Sequence, residues 1–158
     1  MSFADSPRIY SALQLFASSP KVNRRYQSQS GIFSSQKPLK LSVKWAKYKK
    51  QGWCKLNTLN LEQVKANGNY IIWMPQSRNN VIRIGQGNIA SELQRLRNSA
   101  IIARFGEDLL VTWASVQEQY RDGVERYLYE QYSPISVDRV ATARLVQVNM
   151  PGKYKAIA

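Results

Sequence analysis

The 158-residue chain has no histidine and a single cysteine, Cys54, and these two counts narrow the chemistry open to it. A zinc site of nitrogen and sulfur ligands, any triad built on imidazole and an internal disulfide are all excluded. Cys54 has no histidine to activate it, so it reads as a small packing residue and not as a nucleophile. Catalysis must therefore draw on carboxylate, tyrosine, lysine or arginine, with an oxygen-liganded ion such as magnesium as the fitting metal.

A second group of residues suits a polyanion. Between residues 40 and 55, lysines alternate with rings: Lys44, Trp45, Lys47, Tyr48, Lys49, Lys50 and Trp53. Lysines attract phosphates, and flat rings accept unstacked bases at roughly 1–3 kcal/mol per base. The same pattern also fits an edge strand with Leu41, Val43 and Trp45 on its inner face and lysines guarding the edge against pairing. Composition leaves both readings open. Arg97, in a helix further on, joins the candidates for nucleic-acid contact.

The charge distribution points the same way. The chain carries a net charge of +13, and residues 1–55 hold 11 of its 23 Lys and Arg against one acid, Asp5. Such a field concentrates polyanions, of which nucleic acid is the commonest. The field does not distinguish DNA from RNA; DNA is expected ahead of RNA, with a larger nucleoprotein assembly as one setting. No membrane partner is expected, because the one apolar cluster of the Ser-rich arm, residues 10–17, is far shorter than the ~20 residues of a span. A cytoplasmic location is expected, while a basic, Ser-rich, acid-poor arm leaves organelle import as the alternative. The sequence divides into an arm over 1–55 and a folded domain over 56–158.

Several elements must position the chemistry. Asn60 can cap a short helix over 60–66 that Gly68 ends, placing Leu61 and Val64 against the core. Residues 68–87 read as an antiparallel hairpin, two β-branched and aromatic runs around a six-residue polar loop, with Gly68, Gly85 and Gly87 where backbone bends or approaches something closely. Asn88 can cap a helix with Ile89, Leu93 and Leu96 at i, i+4 and i+7. Residues 98–107 connect onward with Ile101, Ile102 and Phe105 available to the core, and a third strand is expected over 109–116. A second helix is expected over 118–132, stopped by Pro134. Gly123 inside it costs roughly 1 kcal/mol against alanine, which calls for another backbone packed closely on it. Residues 141–149 are an apolar tail that can add a last strand or lie across the sheet, and Trp73 and Trp113 belong to the core. The expected fold is α+β, a small three-stranded, mainly antiparallel sheet with flanking helices.

Three segments in this order resemble the GIY-YIG nucleases: Gly68-Asn69-Tyr70, Arg83-Ile84-Gly85, and Gly123-Val124-Glu125-Arg126-Tyr127-Leu128 before Pro134. The resemblance covers about residues 61–151 and implies metal-dependent phosphodiester hydrolysis with Mg²⁺ or Mn²⁺. It implies Glu125 as metal ligand and Tyr70 as the tyrosine that positions or deprotonates the attacking water. Two positions depart from the family pattern: Arg83 stands for a tyrosine, and Glu92 for the arginine expected seven residues after Gly85. Arg83 facing the cleft, or Arg95 leaning back along the helix, can supply the missing guanidinium. Alternatively Arg83 pairs with Glu92 and leaves a module that binds DNA or RNA without turnover, or Glu92 joins Glu125 on the metal.

Overall fold

In the computed structural model, two apolar layers form on the two faces of one sheet because successive residues of its central strand alternate sides. The structure describes residues 37–48, 52–75, 80–139 and 141–152. The elements are β1 (Leu39–Leu41), β2 (Cys54–Lys55), a 3₁₀ turn (Leu61–Gln63), β3 (Asn67–Trp73), β4 (Val81–Asn88), α1 (Ile89–Arg97), α2 (Ala100–Ala103), β5 (Leu110–Ser115), α3 (Glu118–Tyr132) and β6 (Val146–Val148). No helix among the described residues is long and apolar enough to cross a membrane.

The main sheet has the order β2-β5-β3-β4, with every neighbouring pair antiparallel. Tyr70 and Ile72 of β3 pack on the α1 side with Ile89, Leu93 and Leu96, while Ile71 packs on the α3 side with Val124, Leu128 and Tyr129. The α+β class and the three central strands match the sequence reading. A fourth strand goes beyond it: two residues, Cys54 and Lys55, extend the sheet past β5. β1 and β6 form a separate parallel pair, with Leu39 opposite Val146 and Leu41 opposite Val148.

The boundary between arm and domain moves as well. The compact unit begins at Lys37, not after residue 55, because Leu41, Val43, Trp45, Trp53 and Cys54 pack apolar side chains against the domain. Trp45 is 7% and Trp53 9% exposed. The Trp45 indole N–H donates to the Asn149 carbonyl at 2.7 Å, and the Asn149 side chain accepts from Val43 N–H at 2.7 Å. Of the two readings of this segment, the inner-face packing of Leu41, Val43 and Trp45 is the one observed. The rest of the arm, residues 1–36, lies outside the described residues.

Local signals explain most of the remaining elements. Asn88 caps α1 by accepting from Ser91 N–H at 3.0 Å, and α3 spans the expected 118–132 before Ser133 and Pro134 end it. A Cβ on Gly123 would fall 2.4 Å from the Arg144 carbonyl oxygen and 2.6 Å from Val146 Cγ2. The segment carrying β6 therefore lies directly on α3 at a residue whose lack of a side chain admits it, which offsets the helical cost of glycine. Two expectations are corrected. The helix over 60–66 is only a 3₁₀ turn, with Asn60 accepting from Glu62 N–H, because Ala66 already pairs with Ile89 at the entry to β3. The connection over 98–107 contains α2, which buries Ile102 and leaves Ile101 exposed. Trp73 and Trp113 pack against the core while staying partly exposed.

Candidate active site

A cleft of about 420 Å³ straddles β4, the edge strand, where side chains from both faces of the sheet can meet. Tyr70 sits opposite Gly85 and Arg83 opposite Ile72, both toward the α1 side. Gln86, opposite Asn69, is on the other side, where it reaches Asp122 and Glu125 of α3. Tyr70, Arg83 and Glu125, which come from β3, β4 and α3, all line this cleft.

Tyr70 is almost wholly buried, and its hydroxyl donates to Glu92 Oε2 at 3.5 Å. Burial pushes its phenol up to about 12, against the opposing pull of the Arg83 guanidinium. At neutral pH the hydroxyl therefore keeps its proton and acts as a hydrogen-bond donor, not as a phenolate base. A Cβ on Gly85 would lie 2.3 Å from the Tyr70 hydroxyl oxygen. Glycine at the close of the second tripeptide thus leaves the space that the tyrosine fills.

Arg83 and Glu92 do not pair with each other. Arg83 takes Asp138, with Nη1 donating to Oδ1 at 3.0 Å and Nη2 donating to Oδ2. This contact raises the arginine further above its ordinary value and holds the Asp138 carboxyl below its own. Glu92 accepts from Arg95 Nη2 at 2.8 Å. Arg95 does lean back along α1 as expected, but it ends on Glu92 and does not line the cleft. Glu92 lies with Tyr70 and Arg95, not with Glu125.

Glu125 is joined to Asp122 by one carboxamide, as Gln86 Nε2 donates to Glu125 Oε2 and Asp122 Oδ1 at 2.5 Å each. Burial raises the Glu125 carboxyl above its ordinary value, the Gln86 bond opposes this, and Asp122 adds to it. Among the described residues no three His, Cys, Asp or Glu come together as a metal cage. Asp122 and Glu125 are the two carboxylates here that could serve a hydrated divalent ion, which needs only one or two and keeps several waters. The carboxamide hydrogens already occupy the position between the two carboxylates where a cation is favoured.

The other candidates for nucleic-acid contact fare differently. Trp45 and Trp53 are core residues and present no stacking platform. Arg97 Nη2 donates to the carbonyls of Leu56 and Leu59, clipping that turn to α1 instead of facing a ligand. Lys44, Lys47 and Tyr48 reach the surface, with Lys47 Nζ 5.1 Å from the centre of the Trp53 ring. Lys49 and Lys50 lie outside the described residues. Sequence reasoning missed Gln86, Glu118, Arg121, Asp122, Asp138 and Arg139, all of which line the cleft. Glu118 and Asp122 stand seven and three residues before Glu125, a helical spacing that marks one face. Gln86 and Asp138 carry no such signal. Comparison of the chain with family models, with curated proteins and with solved structures gave no match in any of the three.

Proposed function

We propose that this cleft binds and cleaves a nucleic-acid phosphodiester, in the manner of the GIY-YIG nucleases, with Mg²⁺ or Mn²⁺ held at Glu125. The observation that carries this reading is the meeting of Tyr70, Arg83 and Glu125 in one open cleft, each from a different element. Glu125 would hold the ion, with Asp122 contributing a second carboxylate, and its charge would offset the charge gathering on the departing oxygen. The protonated Tyr70 hydroxyl orients the attacking water, whose proton is released to the solvent of the cleft. Arg83, permanently cationic, steadies the charge that develops on phosphorus.

The electrostatics favour a cation as part of the complex. Five carboxylates line the cleft (Glu92, Glu118, Asp122, Glu125, Asp138) against three guanidinium groups (Arg83, Arg121, Arg139). In a chain of net charge +13 this cleft is locally acidic, and a phosphate enters it more readily when a divalent ion offsets that excess. A second reading, binding without turnover, draws on Glu92 standing where a cation is expected and on Arg83 being already paired.

Plasmid nicking separates the two. Cleavage is expected with Mg²⁺ or Mn²⁺, none in EDTA, and none with Glu125→Ala under either metal. Salt-sensitive binding without cleavage by the wild type under any divalent ion selects the second reading.

A further inference from the structure

After α3 the chain turns at Pro134 and runs along the outer edge of β4, where Ile135 N–H donates to the Val81 carbonyl at 3.0 Å and Ser136 N–H to the Ile82 carbonyl at 2.8 Å. Those two bonds hold the segment so that Asp138, shortly past them in the chain, reaches into the cleft. Both of its oxygens accept from the terminal nitrogens of Arg83. A carboxylate set end-on against a guanidinium reproduces the geometry with which the same group grips a phosphate.

The exposure of the two partners is unequal in an informative way. The Arg83 side chain is 8% exposed and that of Asp138 58%. The Arg83 Nε–H is buried with no acceptor. The terminal nitrogens are thus the edge of Arg83 that a ligand can approach, and Asp138 lies on it from the solvent side. Asp138 belongs to neither apolar cluster.

We infer that Asp138 is the internal occupant of the phosphate subsite on Arg83: a substrate phosphate must displace it, so Asp138 limits the affinity of the cleft. This rests on the cleft being the phosphodiester site. A phosphodiester carries the same single charge as the carboxylate it replaces, so this position discriminates weakly by charge and lowers affinity for every nucleic acid alike. Removing the Asp138 charge therefore tightens binding. If Asp138 served only to orient Arg83, its removal would weaken binding instead.

The test compares wild type, Asp138→Asn and Asp108→Asn for binding of a fluorescein-labelled DNA duplex in metal-free buffer. Asp108 pairs with Lys55 away from the cleft, so its variant carries the same change in net charge. Asp138→Asn is expected to lower Kd by about tenfold or more, the scale of a charge-assisted hydrogen bond, and Asp108→Asn by less than about twofold, the scale of an exposed charge. Equal effects of the two, or weaker binding by Asp138→Asn, overturn the inference. Arg83→Met and Arg83→Lys, each checked for folding by thermal melting, distinguish the levels of failure. If they weaken binding while Asp138→Asn does not tighten it, only the inference falls; if all variants bind like wild type, the cleft reading falls with it.

Discussion

Replacing Gly85 by alanine tests the link between fold and site at one atom. The added methyl would lie 2.3 Å from the Tyr70 hydroxyl oxygen, 2.6 Å from Cζ and 3.0 Å from Cε1. Restoring ordinary contact moves the ring or the strand by about 1 Å, and a misplacement of that size costs on the order of 10²-fold in rate when the group positions a reactant. Tyr70 is packed among Ile72, Ile82, Ile89 and Leu93, so the ring cannot retreat freely. Overpacking of this kind costs about 1–3 kcal/mol. Urea unfolding of Gly85→Ala should show that loss, and nicking measured below its melting temperature should fall by about 10²-fold. Gly85→Ala with the stability and cleavage rate of the wild type would refute the placement of Tyr70 against Gly85.

Named contacts set three further outcomes. Arg97→Ala loses two charge-assisted bonds to the Leu56 and Leu59 carbonyls and should cost roughly 2–3 kcal/mol in urea unfolding, while DNA affinity stays within about twofold; a large loss of affinity at full stability would restore Arg97 as a nucleic-acid contact. Tyr70 titrates near 12 in the fold against an ordinary value of about 10, so the folded state keeps a proton that the unfolded chain has lost. Stability is therefore unaffected by this group below about pH 10 and falls as pH rises toward about 12; Tyr70→Phe should show a shallower alkaline decline, and matching slopes would contradict the burial of the phenol. Cys54 is buried and its thiol is pushed up by that burial, so it should react with a thiol reagent only as the domain unfolds; rapid labelling of the native protein would place it at the surface.

The elements carrying strong local signals are legible in the sequence. α3 is readable because Pro134 bounds its end and Tyr120, Val124 and Leu128 recur along one face, and α1 because Asn88 precedes a clear helical period. The close packing on Gly123 also follows from the cost of a glycine in mid-helix. The lysine and aromatic segment misleads because alternation does not say which side faces the core. That is decided by Asn149, 104 residues from Trp45 along the chain. The contacts of Arg97 are unreadable for the same reason, since its partners are carbonyls of a turn with no pattern of its own. Of the cleft, Tyr70, Arg83 and Glu125 are legible from the three ordered segments, whereas Asp138 lies in irregular chain beyond a helix and meets Arg83 only through the tertiary fold.

The direct test of the central claim is Mn²⁺ binding by electron paramagnetic resonance to wild type, Glu125→Ala and Asp122→Asn. If the cleft is a metal-assisted phosphodiester site, the wild type binds the ion at one site, Asp122→Asn binds it more weakly, and Glu125→Ala loses it. Equal binding by all three proteins, or none by the wild type even with DNA present, would contradict the assignment of Glu125.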